Sequence, residues 1–90
     1  MVTNYMIIGY GWRADFYYRI AKILPERFSV CAGVLRTEER AKEVAHKEGV
    51  FATSDLDQAL ERKPDFAVLC VPRDVTKDYL VKLMEKGIPV

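Results

Sequence analysis

Gly9, Gly11 and Ala14 stand at the end of an apolar run, Met6-Ile7-Ile8, and directly ahead of a helical pattern. A Gly-x-Gly-x-x-Ala turn between a strand and a helix is the arrangement that cradles the pyrophosphate of a dinucleotide. Gly9 lets the chain leave the strand sharply, Gly11 presents no side chain to hold a pyrophosphate off the backbone, and Ala14 lets the helix pack close to the strand. The helix then aims its free N–H groups and the positive end of its dipole at the phosphates. Tyr10, Trp12 and Arg13 fill the positions between and belong to the expected cofactor-binding set, with the backbone N–H groups of Trp12 and Arg13 as pyrophosphate donors.

A site that prefers NAD places an Asp or Glu about 20 residues after the glycine turn to hold the ribose 2′-hydroxyl. Counting on from Ala14 reaches Leu35, followed by Arg36 and Thr37. A guanidinium pairs with a 2′-phosphate through charge-assisted, bidentate bonds, and a hydroxyl adds another. Arg36 and Thr37 therefore point to NADP over NAD. The competing reading makes Arg36 a solvated loop cation and Thr37 a helix cap.

The remaining chemistry-bearing residues read as structural. His46 is the single histidine and lies in a charged helix, so no Ser/His/Asp or Cys/His set can be assembled. No metal-ligand spacing appears. Asp15 compensates the dipole of its helix, and the group Phe16, Tyr17 and Tyr18 reads as packing. Cys31 and Cys70 sit inside apolar strand patterns without CxxC spacing and read as buried thiols of a reducing compartment, with the cytoplasm as the expected location.

These residues need a scaffold, and 90 residues with 50% hydrophobic content supply one small folded domain. A net charge of +1 with scattered Lys and Arg gives no field for nucleic acid. No apolar run approaches the roughly 20 residues that span a membrane, and no secretory signal is visible. Strands are expected over residues 4–9, 28–35, 50–52 and 66–71, and helices over 14–24 and 75–86, with a further helix between Thr37 and Gly49 and a brief one between Ser54 or Asp55 and the break at Lys63-Pro64. Phe16, Ile20, Ile23 and Leu24 mark the inner face of the first helix, Ala41, Val44 and Ala45 that of the second, and Leu80, Leu83 and Met84 that of the last. Thr37 and either Ser54 or Asp55 supply N-caps, and Gly49 and Gly87 supply stops. Alternating strands and helices at this spacing give right-handed βαβ units and an α/β, doubly wound parallel sheet of order 3-2-1-4. The glycine turn then lies beside Val71 and Pro72 at the point where the strand order reverses. Gly87-Ile88-Pro89-Val90 reads as a helix stop followed by the opening of a fifth strand, so the chain is expected to be a fragment truncated there.

In this order the chain resembles the amino-terminal domain of the Gfo/Idh/MocA oxidoreductases, the glucose–fructose oxidoreductase and inositol dehydrogenase family. The likeness rests on Ile8-Gly9-Tyr10-Gly11-Trp12-Arg13-Ala14, on Ala32-Gly33-Val34-Leu35-Arg36 with Glu39-Arg40-Ala41, and on Asp65-Phe66-Ala67-Val68-Leu69-Cys70-Val71-Pro72. It implies a Rossmann-type, three-layer αβα domain over residues 1–90 that binds NAD(P), with Val71 and Pro72 near the nicotinamide half. It also implies a following domain, absent here, that holds a sugar, polyol or related small-molecule substrate and mediates homo-oligomerisation. Hydride then passes between a substrate carbinol carbon and the nicotinamide. The chain departs from the family pattern at Tyr17 and Thr76, where a histidine often stands, and the family's Glu-Lys-Pro motif would begin beyond Val90. No catalytic residue is assigned within the chain, and a non-catalytic NAD(P)-sensing or scaffold domain is the competing reading.

Overall fold

The β-branched and apolar run Thr3–Gly9 forms β1, and the sequence alternates from there: α1 Trp12–Ile23, β2 Phe28–Val34, α2 Glu38–Glu48, β3 Ala52–Thr53, α3 Leu56–Leu60, β4 Phe66–Cys70 and α4 Arg73–Glu85. The computed structural model describes residues 2–71 and 73–90, with the side chains of all of these except residues 12 and 73–76. The four strands make one parallel sheet in the order β3-β2-β1-β4, as the alternation predicts.

Period-two alternation sorts the strand residues between two faces. Met6, Ile8, Ala32, Val34 and Ala67 meet Leu56 and Ala59 of α3 and Leu83 of α4 on one side. Tyr5 and Ile7 meet Ala14 and Tyr18 of α1 and Ala41 and Val44 of α2 on the other. Ile7, Ile8 and Leu83 are fully buried, and each such side chain contributes about 1.5–3 kcal/mol over leaving it in water.

The pairing of β1 with β2 holds one irregularity. Tyr5 pairs with Val30 but Met6 pairs with Ala32, so Cys31 is an extra residue, a bulge, in β2. Phe28 and Val30 lie on the α1/α2 face, whereas Cys31 and Ala32 both lie on the other.

Local chemistry ends the helices as expected. The Thr37 side chain accepts from the Arg40 N–H at 3.2 Å, and Asp55 caps α3 by accepting from the Asp57 N–H. Gly49 stops α2 at a φ of 68°. At Gly87, its N–H donates to Met84 O and the Ile88 N–H donates to Leu83 O, while Ile88 packs on the core beside Leu83. This is a Schellman stop with its hydrophobic contact. The Ala67 N–H then donates to the Pro89 carbonyl at 2.8 Å. Among the described residues, that bond on the outer edge of β4 is the whole of the expected fifth strand.

Two helix faces differ from expectation. Among the described side chains of α1, Ala14 and Tyr18 are the buried ones, while Phe16 and Ile23 are 58% and 73% exposed; Leu24, at its C-cap, is exposed as well. The close seat of Ala14 against β1 sets the rotation of α1, and this turns the larger apolar side chains outward. On α4, Leu83 is buried and Tyr79 packs on the core, but Met84 is exposed. β3 lies at Ala52–Thr53, slightly later than expected, because the parallel ladder runs from Gly33 N–H to Phe51 O and from Leu35 N–H to Thr53 O. Cys31 and Cys70 are free and half-buried, not fully buried. Among the described residues no helix is long and apolar enough to cross a membrane, and no group of three or more His, Cys, Asp or Glu could hold a metal.

Tyr18 crosses the sheet face to lie over Gly33. A Cβ at Gly33 would stand 2.5 Å from the Tyr18 hydroxyl oxygen. That hydroxyl is buried without a hydrogen-bond partner, and burial, with Glu48 nearby, pushes its pKa up. An unmet buried hydroxyl costs about 1–3 kcal/mol. Tyr18→Phe is therefore expected to stabilise the domain by about 1 kcal/mol, read as a rise of roughly 4–8 °C in Tm. A fall in Tm would show that the hydroxyl is satisfied.

Candidate dinucleotide site

The glycine turn places two unusual backbone conformations in sequence. Gly9 has a φ of 99°, and a Cβ there would lie 2.2 Å from the Cys70 carbonyl oxygen and 2.8 Å from its carbon. The ends of β1 and β4 thus approach too closely for any side chain at this position. Gly11 has a φ of 141° and occupies the N-cap of α1. A Cβ at Gly11 would meet nothing within 4 Å. Among the described residues no side chain caps α1, so its first-turn N–H groups are left without a side-chain partner beside a turn that a side chain at Gly11 would fill. A pyrophosphate fits such a cradle. Ala14 is fully buried one turn into the helix.

This turn opens onto a cleft of about 540 Å³ at the carboxyl end of the sheet. Gly9 and Tyr10 line it from β1, and Cys70 and Val71 line it from the end of β4. Arg36, Thr37 and Arg40 line it from the start of α2. Sequence separation of more than 25 residues is thereby closed into one concave surface at the reversal of strand order, where such sheets bind their ligands. Arg13 is exposed in the first turn of α1. Burial raises the Cys70 pKa, and the Arg13 guanidinium works in the opposite sense. The expected roles of Pro72 and of the Trp12 side chain lie outside the described residues.

The charge around the cleft is one-sided. Its described lining contains two arginines and no Asp or Glu. Leu35, at the position of an NAD-type carboxylate, is 4% exposed. Glu38 is the acidic residue that follows Thr37 at the start of α2, but its carboxylate accepts from the Ser54 N–H at 3.0 Å and from the Ser54 hydroxyl. Those two bonds hold its pKa below the ordinary carboxylate value. Thr37 serves as the cap of α2 through an acceptor lone pair, which leaves its hydroxyl proton free to donate. The two readings of Thr37 are therefore compatible.

Arg40 escaped the sequence reading. Its nearest ion-pair partner is Glu43, at 3.9 Å on an exposed surface. The available signal was its spacing: four residues after Arg36, one helical turn on, it faces the same cleft. A larger groove of about 700 Å³ runs between α3 and α4 and meets the cleft at Ser54 and Tyr79. Its lining mixes Asp55, Asp57, Asp78 and Glu85 with Lys82 and Lys86, and it lacks the glycine turn.

Glu48 was also missed, since a glutamate in a last helical turn reads as solvated. It continues the buried Ala41–Val44 stripe of α2, and its side chain is only 2% exposed. One oxygen accepts from Lys22 Nζ at 2.6 Å and the other from the Tyr10 hydroxyl at 3.1 Å. Burial raises the Glu48 pKa, but the bonds from Lys22 and Tyr10 outweigh it and hold the carboxyl below its ordinary value of 4.5. A depressed carboxylate stabilises the fold above its unfolded-state pKa and loses that contribution as pH falls through its folded-state value. Glu48→Gln is thus expected to cost about 1–3 kcal/mol at pH 7. The gap from wild type should begin to narrow as pH falls through the unfolded carboxylate value of about 4.3 and close as it passes the lower folded-state value, as measured by urea midpoints. A gap independent of pH would show that the ion pair contributes nothing.

His46 is exposed on the outer side of α2, and Asp15 pairs with Arg19 at 3.0 Å. Neither reaches the cleft.

A parallel sheet of this order, with a glycine turn at its reversal point and an uncapped helix behind the turn, is a Rossmann-type dinucleotide-binding domain. The model of an oxidoreductase family with an NAD-binding Rossmann fold, Gfo/Idh/MocA, matches residues 3–90, and the chain belongs to that family. Among solved structures, it is similar to GenD2 from gentamicin A biosynthesis in complex with NAD, at 21% identity and a TM-score of 0.82 over 96% of this chain and 25% of that one. UDP-N-acetylglucosamine 3-dehydrogenase from Acidithiobacillus ferrooxidans aligns at 19% identity and a TM-score of 0.80 over 98% of this chain and 28% of that one. An NAD binding oxidoreductase from Klebsiella pneumoniae aligns at 21% identity and a TM-score of 0.76 over 96% and 25%. The chain thus spans about a quarter of the length of these neighbours. No curated protein matches it in sequence.

Proposed function

We propose that the chain is the cofactor-binding domain of an NAD(P)-dependent oxidoreductase that prefers NADP. The observation that carries this reading is the cleft itself. It sets Gly9 and Tyr10 of the glycine turn opposite a wall bearing Arg36, Thr37 and Arg40, with no carboxylate among its described lining residues, and Gly11 stands open one residue beyond Tyr10. The first-turn N–H groups of α1 hold the pyrophosphate, and the two guanidiniums with the Thr37 hydroxyl hold the 2′-phosphate. Val71 and Pro72 border the nicotinamide half. When bound, the cofactor supplies the hydride chemistry, and the protein supplies orientation and electrostatics. The substrate is a sugar, polyol or related small polar molecule, held with a further domain of a longer, homo-oligomeric cytoplasmic protein. This substrate class follows the family, and a neighbour in fold is a dehydrogenase of a nucleotide sugar.

Calorimetric titration of the chain with NADPH and, separately, NADH tests the reading. Tighter binding of NADPH is the expected result. Equal or tighter binding of NADH overturns the NADP preference, and binding of neither by the folded chain overturns the cofactor assignment.

A further inference from the structure

We propose that Glu48 is a positioning residue for the glycine turn, acting through the hydroxyl of Tyr10. The affinity part of this inference rests on the reading of the turn as a pyrophosphate cradle; the part concerning the order of the turn does not.

Tyr10 is the residue between two glycines, and both glycines hold positive φ. Glycine loses more conformational freedom on ordering than any other residue, and this segment has two. A site that binds through backbone N–H groups needs those groups fixed before the ligand arrives, because ordering them on binding weakens affinity. The restraint has to come from elsewhere in the fold. The Tyr10 side chain leaves the turn and donates to Glu48, 38 residues away at the far end of α2. The acceptor is itself rigidly held. Its side chain is 2% exposed, its second oxygen is fixed by Lys22 of α1, and it caps the buried stripe of α2. The Lys47 ammonium lies 5.4 Å from the centroid of the Tyr10 ring, and the ring of Tyr18 lies 6.1 Å from it. The ionisable groups facing Glu48 are thus Lys22 and Tyr18 from α1, Tyr10 from the turn and Lys47 from α2 itself. A contact between Glu48 and Lys22 alone would tie two helices together. The bond to Tyr10 extends that tie to the middle of the turn.

The test compares wild type with Tyr10→Phe, Glu48→Met and the double variant. Backbone ¹⁵N relaxation at residues 10–13 reads the order of the turn without any ligand. In wild type the order parameters should lie near the rigid value of about 0.85, and in each variant they should fall toward about 0.6. Affinity for NADPH and for NADH should fall by about 3- to 10-fold alike, since the pyrophosphate is common to both. The double variant should bind no worse than either single one. Order parameters unchanged in Tyr10→Phe overturn the inference, as do unchanged affinities with lowered stability, which would leave Glu48 a purely structural ion-pair partner. Tyr10→Phe removes one hydroxyl and keeps the test intact if Glu48→Met does not fold. A wild-type chain that binds neither nucleotide overturns the proposed function, and the order parameters then decide this inference alone.

Discussion

Gly9→Ala is expected to cost the domain about 3–5 kcal/mol of stability, whereas Gly11→Ala costs less and removes dinucleotide binding. The two glycines stand two residues apart in one motif, yet the fold treats them differently. A methyl group at Gly9 would lie 2.2 Å from the Cys70 carbonyl oxygen and 2.9 Å from a methyl of Val71. Backbone cannot yield as a side chain can, so β1 and β4 would have to part where Gly9 pairs with Cys70. Overpacking and a forbidden φ together cost about 3–5 kcal/mol, against the 5–15 kcal/mol or so that holds an ordinary domain together. At Gly11 nothing lies within 4 Å, and the cost is backbone strain of about 1–3 kcal/mol. The methyl then occupies the space where the pyrophosphate is proposed to sit. Chemical denaturation separates the two outcomes, and titration with NADPH completes the comparison. Equal stabilities for the two variants would refute the assignment of Gly9 to packing and Gly11 to ligand.

The second large effect concerns cofactor choice. Arg36→Ala is expected to weaken NADPH binding by about 1–3 kcal/mol and leave NADH within about twofold. Combined with Arg40→Ala, the loss should reach about 2–4 kcal/mol, less than additive because both cations serve one phosphate. Both side chains are exposed, so the discrimination should shrink as salt is raised. Equal losses for both cofactors would show that the arginines act on something other than the 2′-phosphate.

What could be read from the sequence divides along physical lines. The turn, its neighbouring strand and the caps at Thr37, Asp55, Gly49 and Gly87 depend on residues a few positions apart, so their chemistry is local and legible. Strand order followed from the handedness of βαβ units. The rotation of α1 was not legible, because apolar residues surround that helix: Phe16, Tyr17, Tyr18, Ile20, Ala21, Ile23 and Leu24 offer no single stripe. The seat of Ala14 against the sheet chooses among them, and that is a tertiary fact. The cleft was half legible. Arg36 and Thr37 are placed by counting, while Arg40 enters through the direction of α2. Glu48 enters through a contact across the whole domain, which no spacing encodes.

The bulge at Cys31 bears on how this sheet tolerates change in length. From Phe28 to Val30 the side chains of β2 alternate in step with β1, and the extra residue shifts the count by one before Ala32. Leu35 therefore joins Phe28 and Val30 on the α1/α2 face, although its number has the opposite parity. Remove Cys31 and the strand reads as an uninterrupted alternation in which every remaining side chain keeps its present side. The position of Arg36 and Thr37 at the mouth of the cleft is thus insulated from a one-residue loss at this point. The same loss beyond the bulge, at Gly33 or Val34, would send buried residues to the wrong layer.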